Sequence, residues 1–586
     1  MFEAVKRDGI ARIGILSGIG CVTGCKNESG SECGCEPTEQ TECDRHEEHG
    51  QTEQTEQTEQ IRYQTPIALD VDKFFPDISD ERHRFSSVPL FASEKFTARY
   101  MPEYDGAVFK TPNSENAAES GSMLVIANWQ TVLDNPRWYT DAVIKIANET
   151  PSDTCRYAPA SALPSNVCTL ICSGFDLFDY RAVDLKSVQN IFCTQDGELP
   201  AEEAFGKGLC CCSGCKKGDL KEHNRNMLDN EIETVKYFIR TGHVRELLER
   251  RCRNTAAQVS IMRLFDEAYE FSEKRAPAVR PTRLYANTGE SMKRPEVKRF
   301  VNRVIERFVP SRTDVAVLIP CSAKKPYSQS QSHVKFQSAI QNRAHEIIIT
   351  SPLGIVPREL ERIYPAGHYD VPVTGYWDGE ERAFITDAIA RYFEKNHYEK
   401  VFVHLDGDSL GIAEAALKRA GIDYEVTATE RLTSAESLKK LQDALKGYRK
   451  VSPDIIGGTV SYQFGATRDS FDSSKLRLKG KFLREKVLKG NQQLFSVDSE
   501  TGYFRPTFDG WELIESGYRV YIDNFVPQGD ILAPGVSDCD RDIREGDEVL
   551  VVGENALATG RAMMGADEML SSKRGVAVRV RKVKKL

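Results

Sequence analysis

The sequence predicts a multidomain α/β protein that ends in an all-β domain, and three observations carry this. The chain has 586 residues, whereas single cores rarely grow beyond ~250–300. Buried-strand runs alternate with helix-periodic segments on both sides of a proline-containing stretch, which is the pattern of α/β units. Beyond Phe495 the pattern changes to short β runs separated by glycine turns, as in an all-β domain.

Residues 1–20 and 61–273 form the first globular region. Residues 2–16 read as a strand pair turning at Asp8-Gly9, and 123–126 and 169–172 as buried strands. Helical periodicity runs over 231–250, with Ile232, Val235, Phe238 and Ile239 on one face. Residues 21–60 hold Cys21, Cys25, Cys33, Cys35, Cys43, His46, His49 and a Thr-Glu-Gln repeat. A short polar repeat builds no core, so a disordered insertion is expected; its irregular Cys/His spacing leaves a metal role open. Residues 274–294, with Pro277 and Pro281, read as a linker. Residues 295–467 make the second α/β unit, with strands over 315–319, 346–349 and 401–405 and a helix over 384–393. Residues 468–505 alternate basic and apolar side chains, and 506–586 form the all-β end.

Composition narrows the class. With 40% hydrophobic and 28% charged residues, the chain reads as soluble, and no run approaches the ~20 apolar residues of a membrane span. Residues 1–15 show no secretory signal, so a cytoplasmic location is expected. The net charge of -9 argues against a protein basic throughout, but a local basic surface suffices for nucleic acid. Sixteen cysteines in a chain this long point to metal ligation or catalysis before disulfides.

Two motifs follow. Cys210-x-Cys212-x-x-Cys215 with His223 eight residues on offers three thiolates and one imidazole, a closed tetrahedral site for structural Zn2+. The second is Pro320-Cys321-Ser322-Ala323-Lys324-Lys325-Pro326-Tyr327-Ser328 with Ser332-His333. It places a thiol at the carboxyl end of an expected strand, where open α/β sheets gather ligands. Cys321 is a candidate nucleophile whose thiolate Lys324 or Lys325 would favour, with His333 as proton donor and Tyr327, Ser328 and Ser332 positioning the substrate. Cys321 as a buried apolar residue is the alternative. Arg358, Glu359, Asp370 and Asp406 are candidate donor-binding residues or, equally, ion-pair partners.

A family resemblance now becomes visible. The zinc region, with Gly174-Phe175-Asp176-Leu177-Phe178-Asp179, resembles tRNA-guanine transglycosylases, which use a (β/α)8 barrel and a strand-end aspartate that attacks ribose. Asp176 would be the remnant of that residue. The family's second acid, in an Asp-Ser-Gly segment, is missing: the comparable stretch ends Ala127-Asn128-Trp129-Gln130, and an amide cannot transfer a proton. Residues 529–536, 543–549 and 575–580 are similar to a PUA domain, which implies RNA binding through Lys479, Lys481, Gly535, Arg579 and Arg581. In its last strand Val576, Val578 and Val580 are expected inward and Arg579 and Arg581 outward.

The Pro320–His333 segment resembles the archaeosine synthase family, as do Ser351-Pro352-Leu353-Gly354, residues 356–361 and Tyr369-Asp370-Val371-Pro372-Val373-Thr374-Gly375-Tyr376-Trp377. The resemblance implies attack on the nitrile of 7-cyano-7-deazaguanine (preQ0) at position 15 of tRNA. Glutamine or lysine would be the nitrogen donor, the latter with a radical-SAM partner, and a homo-oligomer is expected. Base exchange and non-catalytic tRNA binding are the alternatives.

Overall fold

The computed structural model describes residues 2–17, 62–70, 108–110, 123–126, 133–371, 377–429 and 431–586. The insertion at 21–60, residues 127–130 and residues 372–376 lie outside the described residues.

The expected strand pair is present. Phe2–Asp8 and Ala11–Ser17 pair antiparallel around Gly9, whose φ of 71° suits glycine, and Arg62–Thr65 adds a third strand. The neighbouring sheet has the order Ile67–Leu69, Leu177–Asp179, Cys155–Tyr157, Met123–Ile126, Val108–Lys110, parallel except for the last. These are five strands among the described residues, against the eight of a closed barrel.

Two expectations in this region need correction. Residues 169–172 are not a strand but lie in the helix Val167–Cys172; a short apolar run buried on all sides fits either state. The periodicity over 231–250 belongs to two helices, Leu220–Thr241 and Val244–Arg251, parted at Gly242, whose φ of 70° ends the first.

Residues 274–294 are no free connector. Arg280 pairs with Asp8 and Glu296 (2.5 and 2.6 Å), and Arg294, 1% exposed, pairs with Glu246 and Glu249 (2.9 and 2.5 Å). Leu284–Tyr285 forms a short parallel pair with Tyr369–Asp370.

The core sheet has the order Gly354–Pro357, His345–Thr350, Val315–Pro320, Lys400–Val403, Tyr424–Val426, parallel apart from its first strand. Val315 through Ile319 are each fully buried at its centre. The helices Pro295–Glu306, Gln331–Ile340, Gly379–Lys395 and Gly407–Arg419 connect and cover these strands, so their carboxyl ends converge on one rim. The helix Ile455–Phe464 ends the unit.

Beyond it lie a four-stranded antiparallel sheet beginning with Leu476–Lys479 and Lys486–Lys489 and a six-stranded sheet running from Ile531–Leu532 through Val576–Lys585 to Val536–Cys539. In the last strand Arg579 faces outward as expected, but Ala577 and Val578 are both buried and Val576 and Val580 only half so. The strict alternation fails at a register shift opposite Ile531/Leu532, which leaves Ala577 as the extra residue. No described helix is long and apolar enough to cross a membrane.

Candidate active site

The central strand Val315–Pro320 delivers Cys321 half-buried into a cavity of about 460 Å³, within the ~300–1,000 Å³ usual for small-molecule sites. Adjacent strand ends supply Ser351 on one side and Asp406 through Ser409 on the other, while Trp377, Asp378 and Glu381 close the top. The cavity is acidic. Asp378 accepts the backbone N–H of Glu381 at 2.9 Å, Glu381 accepts the hydroxyl of Ser351 at 2.6 Å, and Asp408 pairs with Arg382 at 2.6 Å. Asp406 sits at the N-cap of Gly407–Arg419 without making the capping hydrogen bond, so its carboxylate is the least committed of the four.

One wall comes from outside the core unit. Ala286, Asn287, Thr288 and Gly289 line the same cavity. Thr288 and Ser291 donate to Glu249 at 3.4 and 2.9 Å, and Arg294 clamps that carboxylate from the other side. The buried ion pair between Arg294 and Glu249, which lies on the helix Val244–Arg251, therefore holds this wall of the cavity.

The cationic and hydroxyl groups beside the thiol form a layer. Lys325 Nζ stands 3.9 Å from the ring centroid of Tyr369. Burial lowers its pKa, with the nearby Cys321 and Asp370 acting the other way. Tyr327 and Tyr369 hydroxyls are 2.6 Å apart, and Tyr369 is 2.6 Å from Thr350 Oγ1. Burial raises both phenols, so they are neutral hydroxyls at physiological pH.

Other expected site residues lie elsewhere. His333 is fully buried and does not line the cavity; its Nδ1 accepts from Arg358 at 2.9 Å. Burial first and then the Arg358 charge push its pKa down to about 3, against the Pro320 backbone. It is a neutral imidazole at physiological pH, set back from the cavity lining. Ser328 gives its N–H to Glu361, and Ser332 lies 3.2 Å from Ser330. Arg358 is bound by Glu346 and Glu361, and Glu359 by His345 and Ser311. These buried pairs leave neither residue free for a donor. Asp370 is exposed, 3.5 Å from Arg283. The structure thus gathers Cys321 and Asp406 in the cavity, with Lys325 and Tyr327 beside it. Asp378, Glu381, Asp408, Trp377 and Asn287 were missed; the position of Asp406 after an apolar strand run was the one signal pointing to that rim.

The transglycosylase-like motif is differently placed from what the resemblance implies. Asp176 precedes the strand Leu177–Asp179, and Asp179 stands at its carboxyl end. Asp176 is fully buried and takes Arg12 Nε at 2.7 Å and the Arg156 N–H at 2.8 Å. Asp179 accepts Tyr157 OH at 2.7 Å and the N–H of Ala160 and Arg181.

Cys210, Cys212, Cys215 and His223 bring their ligand atoms within 4.8 Å of one another and could hold a metal ion. His223 Nε2 donates to the Cys193 carbonyl at 3.0 Å, which leaves the Nδ1 lone pair facing Cys212 and Cys215 sulfurs at 3.4 and 3.2 Å. A ring oriented in this way suits metal ligation. Cys211 is exposed and outside the group.

Of the expected RNA contacts, Lys479, Lys481 and Arg579 are exposed, and Gly535 packs near Phe525. Arg581 is engaged by Glu548 at 3.1 Å.

Residues 297–445 match a family described as Domain of unknown function (DUF5591), and residues 520–584 match the PUA domain. Archaeosine synthase subunit alpha of Methanosarcina acetivorans is 38% identical over 531 residues, 84% of this chain and 85% of that protein. Archaeosine synthase of Haloferax volcanii is 35% identical over 511 residues, 84% of this chain and 87% of that protein. A tRNA-guanine(15) transglycosylase of Methanothermobacter thermautotrophicus is 26% identical over 489 residues, covering 76% and 68%. Similarity to these synthases spans more than four fifths of each chain, so the chain belongs to the archaeosine synthase family.

Proposed function

We propose that this chain is a tRNA-modifying transferase that adds a nitrogen donor to the nitrile of preQ0 at position 15 of tRNA, leading to archaeosine. The observation that carries the reading is Cys321 at the end of the central strand, opening into an acidic cavity. The Cys321 thiolate adds to the nitrile carbon, forming a C–S bond while the nitrogen takes a proton to give a thioimidate. The donor amine then attacks the same carbon, the C–S bond breaks, and an amidine remains as the thiolate leaves. Lys325 is the fitting acid–base group in place of His333, because burial brings an ammonium closer to neutrality. It would take the thiol proton and return it to the nascent imide.

The carboxylates Asp378, Glu381, Asp406 and Asp408 favour a donor that carries a cationic amine, which supports lysine over a neutral glutamine amide. We assign Asp406 and Trp377 as donor- and base-facing residues. Lys479 stands directly opposite Lys486 across its hairpin. Like charges so placed cost stability and are compensated by a polyanion such as tRNA. Cys210, Cys212, Cys215 and His223 fit structural zinc, which would supply a four-coordinate crosslink to a region read as a transglycosylase-like scaffold. Base exchange by that region is disfavoured because Asp176 and Asp179 are both saturated by protein partners.

The test is to incubate the purified chain with preQ0-containing tRNA and lysine or glutamine, and to weigh the digested nucleosides. A mass gain matching lysine is expected. Exchange of labelled free base with no donor adduct would overturn the reading.

A further inference from the structure

A second cavity lies where the amino-terminal hairpin, the strand Cys155–Tyr157 and the carboxyl-terminal sheet domain meet. It is lined by Arg7, Arg12, Arg156, Lys274 and Arg275 on the basic side. Three of these cations have carboxylates: Arg12 with Asp176, Arg7 with Glu568, and Lys274 with Asp567 at 3.5 Å. Arg156 and Arg275 have no ion-pair partner among the described residues. Arg156 is 6% exposed, touches only the Gly174 carbonyl and the Thr150 hydroxyl at 3.4 Å each, and its Nε has no partner. Arg275 lies 4.0 Å from the Phe271 ring centroid and hydrogen-bonds neutral oxygens, on Phe271, Ala147 and Asn148, at 3.2, 3.3 and 3.0 Å.

Two guanidinium ions line this cavity with no carboxylate in ion-pair contact with either among the described residues, although Asp567 and Glu568 stand on its wall. Such a pair is unfavourable unless an anion joins it. Burial lowers both pKa values: that of Arg156 falls to about 9, with Arg12 and Arg275 adding to the effect against Asp176, and that of Arg275 falls in spite of Asp567 and Glu568. Glu545 also lines the cavity, but burial lifts its carboxyl to about 7, and the cations that act on it are Arg7 and Lys6.

We propose that this cavity is an oxyanion site that takes one phosphate group between Arg156 and Arg275. Its volume of about 70 Å³ is far below the ~300 Å³ at which nucleoside-sized pockets begin, so it fits a single phosphate and excludes a base. Arginine forks match such an oxyanion. The phosphate is either free inorganic phosphate or one phosphate of an RNA backbone. The site is independent of the nitrile chemistry, and its test does not use that activity.

Thermal unfolding of the full chain, in inorganic phosphate against chloride at equal ionic strength, reads the site directly. A phosphate-specific rise in Tm is expected for the wild type and should vanish in Arg275→Met, whose half-buried side chain can be replaced without emptying the core. Arg156→Met, if it folds, should behave the same way. Binding of tRNA at fixed ionic strength then separates the sources. Competition by inorganic phosphate in the wild type but not in Arg275→Met identifies a backbone phosphate, and tRNA affinity unmoved by phosphate identifies the free anion. No phosphate-specific Tm rise in the wild type, or an equal rise in Arg275→Met, overturns the proposal.

Discussion

Two strand ends in this chain present residues of a kind that does covalent chemistry, and their surroundings are opposite. At Leu177–Asp179 the carboxylates of Asp176 and Asp179 are 0% and 2% exposed, and their oxygens are occupied by arginine, tyrosine and backbone N–H donors. At Val315–Pro320 the thiol of Cys321 is half-buried and faces open volume. A reactive residue type is necessary at a catalytic centre, but so is an unoccupied place for the reacting atom. At the first strand that place is filled by Arg12 on Asp176 and by Tyr157 and backbone donors on Asp179, and at the second it is open.

The contrast breaks or holds under three substitutions. Cys321→Ala should have the largest effect, lowering product formation by roughly a thousandfold or more, with the fold intact by circular dichroism; near-normal turnover would remove the thiol from the mechanism. Asp176→Asn should do the reverse. It strands the buried Arg12 guanidinium and should cost ~3–5 kcal/mol of stability, while the folded fraction turns over preQ0-tRNA at the normal rate. A selective loss of turnover in that variant would return chemistry to the first strand end. The smallest effect concerns His333, whose pKa falls from the usual ~6.5 to about 3. The unfolded chain binds that proton first as pH drops, so the stability present above the unfolded value is lost as pH falls from ~6.5 toward 3. His333→Gln should lose less Tm between pH 7 and pH 4 than the wild type, and parallel losses would show that His333 does not titrate in this way.

Local sequence carried much of the core. The run 315–319 is β-branched and apolar, and the strand forms at the expected residues with Cys321 at its end. The zinc-type ligands are close in sequence, and the chain folds them together over one short helix and the start of the next. Sequence proximity misled at His333. Ser330 caps the helix Gln331–Ile340, which carries the ring to Arg358 and away from the cavity. The acidic rim was hidden for the converse reason. Asp378 and Glu381 come from the start of one helix and Asp408 from the start of another, and they meet Cys321 only through the parallel sheet order. Residues 274–294 read as a linker because prolines and arginines signal exposure. Arg280 and Arg294 are buried, Arg280 by a partner, Asp8, more than two hundred residues away, and no local pattern reports such a partner.

The wall at 286–289 has a consequence for how such a protein can be inherited. Its position depends on Glu249 and Arg294, so the cup around Cys321 is completed by a segment fastened to the preceding unit. A recombination event that moved residues 295–467 alone would deliver a vessel open on one side. The two lengths of chain can be exchanged only as a pair.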